Sequence, residues 1–544
     1  MEMSYPNTHL KTGCVLERLS PLLIASLALI VYLNSLNGPF IFDDFTTVRD
    51  NRSIRCLWPL TVPLSPPHEG GTHGRPVLNL FYAIIYAISG LNEHGYHAGN
   101  LVLHILTALV LYGVVRRTLA GGRLRAMYGN HATGLAMTIA LIWSVHPLTT
   151  SSVSYIASSS EILMSLFCLL TLYCVIRASE SARSTGCTVA SIIACALGMA
   201  SKEVMVVAPL IVLLYDRIFL AESFREVLQR RRGLYIGLAA TWLVLAVLMM
   251  GVAFDVKRGP GRAFTVWEYA CTQSGVIMHY LRLGIWPYPL VLDYYDWPVA
   301  HLSLALVVSL AVVLGLLAAA VAALLSWRPV AFLGVWFFLI LAPSSSFMPL
   351  PGEVATERRM YIPLAALIVL VVVAVWKAFK TRRSRLVPVV LAALVVLILG
   401  AATVQRNEDY RSALAIWSDT AAKRPNSARA LTEVGTALVA LGQFTEAIGY
   451  YERATRVQPD YAMAYSNWGV ALAMQGRLDE AIGKLLEAVQ RNPASAFARY
   501  NLGFALEKQG HPQQAAIEYQ SALQIDPSFT KARDGLVRLY LLRG

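Results

Sequence analysis

The sequence predicts an all-α protein in two parts: a helical membrane domain over 1–404 and a solenoid of helical repeats over 405–544. Three observations carry this reading. Hydrophobic residues make up 56% of the 544-residue chain, whereas soluble domains hold about 45–50%. Apolar runs of bilayer-crossing length recur between residues 19 and 404. Beyond them, small residues and prolines return every 34 positions.

A helix needs roughly 17–25 apolar residues to cross, fewer where neighbouring helices cover its ends. Runs that meet this lie near 19–37, 98–115, 133–147, 155–176, 187–201, 204–219, 234–254, 303–326, 330–347, 361–378 and 386–404. That makes eleven spans. A twelfth candidate, 268–286, carries His279 and Arg282. Counting it would invert the charge pattern of everything that follows, so it is read as an interfacial or re-entrant helix. The basic residues set the orientation. Arg116, Arg117, Arg123 and Arg125 share one short loop, Arg230, Arg231 and Arg232 another, and Lys377, Lys380, Arg382, Arg383 and Arg385 a third. Placing all three in the cytoplasm puts the N-terminus inside. The long first loop, 38–97, is then outside, with a helix after Arg75-Pro76 lying on the membrane face. The first apolar run leads into acidic residues rather than a small-residue cleavage site, so it reads as an anchor and not a removable leader.

The net charge of +13 is thus an orientation signal, not a nucleic-acid footprint. Cys168, Cys174, Cys187 and Cys195 fall inside apolar runs, where cysteine behaves as a small hydrophobe. Cys14, Cys56 and Cys271 show no metal-ligand spacing. No phosphate-binding glycine loop, zinc spacing or nucleophile elbow is present, which sets aside ATPases, zinc enzymes and serine hydrolases.

After residue 404, Gly435, Gly469 and Gly503 stand 34 apart, as do Ala447, Ala481 and Ala515, and Pro459, Pro493 and Pro527. Small residues where two helices cross, with proline ending the second, is the tetratricopeptide pattern. It gives a half repeat at 405–427, repeats at 428–461, 462–495 and 496–529, and a capping helix at 530–544. Asn467 and Asn501 share one repeat position. An amide can hold a peptide's N–H and C=O together, so both are candidates for acceptor-peptide binding. Local helix–helix hydrogen bonds are the plainer reading.

The ionisable residues of the membrane part gather on the expected outer face. Asp43 and Asp44 follow the first span directly, flanked by Phe40, Phe42 and Phe45. A half-desolvated carboxylate suits a general base; an N-cap is the alternative for either acid. Glu161 opens an apolar helix and needs a partner there, and His146-Pro147 ends the preceding span. Ser201-Lys202-Glu203 joins two spans with almost no loop: Lys202 can hold a lipid phosphate and Glu203 orient it, or the lysine can snorkel and the acid can cap. Glu357-Arg358-Arg359-Met360-Tyr361 places two arginines where positive-inside statistics disfavour them. An arginine fork matches a phosphate; interfacial anchoring is the alternative. Arg75, His97, Asp293 and Tyr294 are weaker candidates. An acid pair could also bind a divalent ion, so the metal requirement stays open.

Taken together, Phe42-Asp43-Asp44, Gly74-Arg75-Pro76, His146-Pro147 with Ser160-Glu161, Ser201-Lys202-Glu203 and the 357–361 run occur in that order ahead of the repeats. This set resembles the transmembrane and tetratricopeptide repeat O-mannosyltransferases and their bacterial relatives, of the GT-C superfamily of glycosyltransferases. The resemblance covers roughly 30–540. It implies a polyprenyl- or dolichyl-phosphate sugar donor, usually mannose, and inverting transfer to Ser/Thr hydroxyls of extracytoplasmic proteins. Carried over, Asp43 or Asp44 is the base, and Lys202 with an arginine of 358–359 holds the donor phosphate. The full candidate set adds Glu161 to the catalytic acids, and Glu203, Arg75, His146, Arg358, Arg359 and Tyr361 to the donor side. The expected partners are the lipid-linked donor, an acceptor protein held by the repeats and membrane lipids. The expected place is a bacterial inner membrane, with site and repeats facing outward, or a lumen-facing endoplasmic reticulum membrane. A lipid or glycan acceptor, or a non-catalytic scaffold with docking repeats, are the rival readings.

Overall fold

The computed structural model describes residues 8–67, 70–180, 184–253, 265–346, 353–379 and 386–541. Among the described residues every regular element is a helix. Six helices are long and apolar enough to cross a bilayer: Leu16–Asn37, Glu93–Ala120, Ile156–Glu180, Arg232–Met250, Leu304–Leu325 and Leu386–Asp409. Two bent pairs extend this set to eight. Gly122–Ser144 turns by 56° into Pro147–Val153, and Glu203–Leu220 turns by 108° into Phe224–Arg230.

The eleven expected spans all fall on helices, but not all on unbroken ones. Those at 187–201, 330–347 and 361–378 are the shorter apolar helices Ser184–Met199, Ala331–Leu341 and Leu364–Phe379. Helices of 16, 11 and 16 residues fall short of the roughly 20 needed to cross unaided. The awkward segment at 268–286 is the helix Val266–Ile285, begun by a capping box between Thr265 and Glu268. It is not among the helices of crossing length and composition. Its polar face is explained by packing, since Tyr269, Thr272, Gln273 and Tyr280 are all buried. Of the third basic loop, Lys380, Arg382, Arg383 and Arg385 lie outside the described residues.

The first loop is a folded layer rather than a turn. Short helices at Phe45–Arg49 and Arg52–Arg55 precede the helix Pro76–Ser89. Proline at its first turn, where its missing N–H costs nothing, starts that helix where the sequence places it. Leu78, Tyr82, Ala83 and Ile85 form a core with Phe40, Val48, Ile54, Tyr96, Ile156 and Leu163.

The chain separates into two compact units. The first comprises 1–290 and 298–411; the second comprises 412–544 together with the segment 291–297. The second unit is a run of antiparallel helix pairs. Ala413–Lys423 is the half repeat, followed by Ala428–Ala440 with Phe444–Val457, Ala462–Met474 with Leu478–Arg491, Ala496–Gln509 with Pro512–Ile525, and the last helix Thr530–Leu541. The 34-residue glycines sit where helices touch. A Cβ at Gly435, Gly469 or Gly503 would lie 2.6 Å from Tyr451, 2.5 Å from Leu485 and 2.8 Å from Tyr519 respectively.

The segment 291–297 is bound into this unit by charge and rings. Asp293 pairs with Arg429 at 3.1 Å and Asp296 with Arg424 at 2.7 Å. Leu292 N–H donates to Thr420 Oγ1, and the Arg429 guanidinium lies 4.0 Å from the Tyr295 ring centre. Asp293 is therefore a structural acid. Burial pushes its carboxyl upward, against the pull of Arg429.

Candidate functional site

The site begins at a strained turn. Phe42 has φ +47°, the left-handed region, where a non-glycine residue costs on the order of 1 kcal/mol. The two acids that follow are thereby sent to different surroundings. Asp44 is 1% exposed and accepts from two backbone groups, Ile41 N–H at 2.9 Å and Ala157 N–H at 2.7 Å. Burial holds its carboxyl well above the usual carboxylate range, against those two hydrogen bonds. Asp44 thus ties the loop to the start of the Ile156–Glu180 helix, and its oxygens are spent on the fold. Asp43 is only half-buried. Its backbone N–H donates to Tyr155 Oη at 3.1 Å, and its carboxylate bonds the same hydroxyl. Burial, and then the charge of Asp43, keep Tyr155 protonated.

Gly38, which opens this stretch, is a close-approach position. Its carbonyl accepts from His97 Nε2 at 2.9 Å, and a Cβ there would meet that nitrogen at 3.0 Å. His97 is accordingly part of the scaffold.

Six further charges gather about Asp43 from distant parts of the chain. Glu161 is 4% exposed and ion-paired to Lys202 Nζ. This pair answers how an acid can stand in an apolar helix: its charge is matched. Glu203 accepts from Arg75 Nη2 at 3.1 Å, and the Lys202 charge also acts on it. Arg358 pairs with Glu353, and its charge also acts on Tyr155, Asp43 and Glu161. The Arg358 guanidinium holds the Glu353 carboxyl down at about 2. The result is a set of four acids and three cations: Asp43, Glu353, Glu161 and Glu203 with Arg358, Lys202 and Arg75.

The arm that carries Arg358 is fixed from behind. Gln273 Nε2 donates to Val354 O at 3.0 Å, and Tyr280 Oη donates to Thr356 O at 2.9 Å. Arg359 is 7% exposed and donates to the carbonyls of Val354 and Glu353. This separates the two arginines: Arg358 faces the charges and Arg359 braces the loop.

Two expected donor-binding residues are elsewhere. Tyr361 is fully buried among helices. Its hydroxyl bonds His104 Nδ1 at 2.7 Å and its carbonyl accepts from Trp143 Nε1. His146 is 2% exposed and accepts from Leu148 N–H through Nδ1 at 3.2 Å, capping the short helix Pro147–Thr149. Both belong to the packing that supports the site, because an aromatic ring at a helix end fills space as readily as it reaches a ligand. In the repeats, Asn467 donates to Thr436 Oγ1 and Asn501 to Ser466 Oγ, each at 3.1 Å. These are bonds between neighbouring repeats, the plainer of the two readings. Asn501 is 8% exposed; Asn467 remains half-exposed.

Sequence reasoning missed Tyr155 and Glu353. Tyr155 carried a signal, a hydroxyl-bearing ring at the start of an apolar run. Glu353 lies five residues before Arg358, a local partner readable in principle. Among the described residues no group of three His, Cys, Asp or Glu side chains is placed to hold a metal ion. A cavity of about 670 Å³ lined by Ala120, Gly122, Arg125, Ala126, Gly129 and Asn130 involves none of the charged residues above.

Residues 72–251 match the family described as dolichyl-phosphate-mannose-protein mannosyltransferase. Residues 433–496 and 496–529 match tetratricopeptide repeat families. The chain is 25% identical over 515 residues to the protein O-mannosyl-transferase Tmtc3 of Drosophila melanogaster, covering 80% of this chain and 55% of the relative. It is 23% identical over 482 residues to TMTC3 of Mus musculus, covering 80% and 51%. It is 24% identical over 498 residues to TMTC4 of Homo sapiens, covering 79% and 65%. The chain thus spans about half the length of the first two relatives. A solved Arabidopsis OM64 TPR domain is 22% identical, covering 21% of this chain and 93% of that one, with a TM-score of 0.20. The matched mannosyltransferase region includes Arg75, Glu161, Lys202 and Glu203; Asp43 and Arg358 stand outside it.

Proposed function

We propose that the protein transfers mannose from a polyprenyl- or dolichyl-phosphate carrier to Ser/Thr hydroxyls of proteins on the outer or lumenal face of its membrane. The observation that supports this reading is a half-exposed acid, Asp43, whose backbone N–H bonds Tyr155, together with the ion-paired Arg358, Lys202 and Arg75. In this mechanism Asp43 takes the hydroxyl proton as that oxygen attacks the anomeric carbon. The bond from that carbon to the phosphate oxygen breaks, and its electron pair leaves with the polyprenyl phosphate. Attack from the face opposite the phosphate inverts the anomeric configuration. Arg358, Lys202 and Arg75 stabilise the departing anion, and Tyr155 fixes the Asp43 carboxylate. Glu161, Glu203 and Glu353 hold these three cations until a phosphate takes their place. Asp44 positions the loop. The repeats present the acceptor, with Asn467 the better placed of the two amides to meet a peptide.

The test is transfer by the purified full chain in lipid, given dolichyl-phosphate-mannose and an acceptor protein, followed by mass spectrometry of the acceptor. Asp43→Asn is expected to lower the rate by about 10²–10⁴-fold, with little change in thermal stability. Wild-type rates in that variant would remove Asp43 as the base. Mannose found on a lipid or glycan instead of the protein would favour the alternative acceptor. No transfer by the wild-type chain, with protein docking retained, would favour a scaffold.

A further inference from the structure

The stretch Cys56–Ser65 holds no charged residue and reads Cys-Leu-Trp-Pro-Leu-Thr-Val-Pro-Leu-Ser. It lies outside every helix of crossing length, yet its large apolar side chains face outward. Trp58 is 76% exposed, Leu60 and Leu64 41% each, Val62 37% and Leu57 36%. Runs of this kind on a water-facing loop are unfavourable and mark a contact surface.

The stretch is also firmly built. Val62 N–H donates to Pro59 O, Leu64 N–H to Leu60 O and Ser65 N–H to Val62 O, at 3.0–3.2 Å. Behind it, the fully buried Asn79 donates to Pro63 O at 2.8 Å and Ser53 Oγ at 2.9 Å, and accepts from Asn51 Nδ2 at 2.9 Å. The apolar side chains are therefore held out by a polar scaffold and are not the surface of a collapsing loop. A backbone that satisfies its own hydrogen bonds is also the kind that can rest against lipid.

We propose that Leu57–Leu64 is seated in the headgroup and acyl boundary of the bilayer leaflet on which this loop emerges. The loop runs between two helices long and apolar enough to cross a bilayer, Leu16–Asn37 and Glu93–Ala120, which would bring lipid to both its ends. Tryptophan with leucine suits that depth. Just before it, exposed Arg49, Arg52 and Arg55 outnumber the lone Asp50, a balance that favours anionic headgroups. The same segment begins at Asp43-Asp44 and ends at Arg75. Seating its middle in lipid would fix the acid and the arginine at the depth where a lipid-borne phosphate lies. The seating itself does not depend on the transferase reading.

A benzophenone amino acid placed at Trp58 or at Leu60 tests this directly, since it keeps a large apolar side chain. The full chain is reconstituted in vesicles of phosphatidylcholine and phosphatidylglycerol and illuminated. The control carries the same group at Val537, 51% exposed on the last helix. Phospholipid adducts at 58 and 60 are expected to exceed those at 537 by about tenfold. Equal lipid adducts at the three positions, or adducts at 58 and 60 mainly to another protein chain, would overturn the seating. A Trp58→Phe chain, with its melting temperature compared to the wild type, checks that the position itself tolerates replacement.

Discussion

The two adjacent acids show how little a residue's type says about its use. Asp43 and Asp44 are chemically identical neighbours, and the sequence leaves either free to be the base. The left-handed turn at Phe42 separates them: one carboxylate is closed over backbone N–H groups, the other left half-exposed beside Tyr155. That backbone choice has no signature in composition or spacing. Charge pairing at the site does have a measurable consequence. Glu353 is held at about 2, below its ordinary 4.5, chiefly by Arg358. A carboxyl depressed on folding adds stability that is fully present above its unfolded value and is lost as pH falls through its folded value. The contribution of Glu353 is therefore expected to disappear between 4.5 and about 2. Thermal melting of the lipid-embedded chain at about pH 6 and about pH 3 reads this loss. Glu353→Gln, which cannot titrate, should show a smaller drop over that interval; an unchanged drop would assign the acid sensitivity to other groups. The same carboxylate escaped the sequence reading because its importance comes from the arm folding back on itself, not from any motif.

Elements were far more legible than residues. The helices of the membrane part follow from apolar runs alone, and the repeats from a period that no single substitution can hide. Their bends were visible in part, since Pro147 stands at the one near 144–147 and Ser223 caps the helix that follows the one near 220–224. The repeat glycines give the sharpest test at this scale. Gly469→Ala would place a methyl group 2.5 Å from Leu485 Cγ and 3.0 Å from the Ala481 carbonyl. Overpacking of this kind costs about 1–3 kcal/mol. Hydrogen exchange should quicken in Ala462–Met474 and Leu478–Arg491, while the membrane helices stay unchanged. Unaltered exchange in both repeat helices would show that the pair separates without strain. Asn467 and Asn501 illustrate the limit of position-based reasoning here, since equal places in the period gave each amide a hydroxyl of the preceding repeat as its partner.

At the scale of the whole molecule, the repeat unit is not a simple C-terminal appendage. It includes seven residues, 291–297, drawn from the middle of the chain. The sequence shows these only as an aromatic acidic stretch, and nothing in a linear reading joins them to arginines more than a hundred positions later. Truncation at residue 411 would strip Asp293 and Asp296 of Arg429 and Arg424 and leave the Tyr295 ring without its cation. Limited proteolysis of such a chain is expected to cut within 291–297, where the full chain resists; equal resistance would mean the segment holds itself. The discontinuity also has a consequence in time. Asp296 precedes Arg424 by 128 residues, and synthesis at about 5–20 residues per second would place that arginine on the ribosome roughly 6–25 s later. During that interval an acidic, ring-rich segment has no partner of its own and must be kept from finding a foreign one. The last stretch of translation thus completes a structure whose first strip of chain was laid down long before.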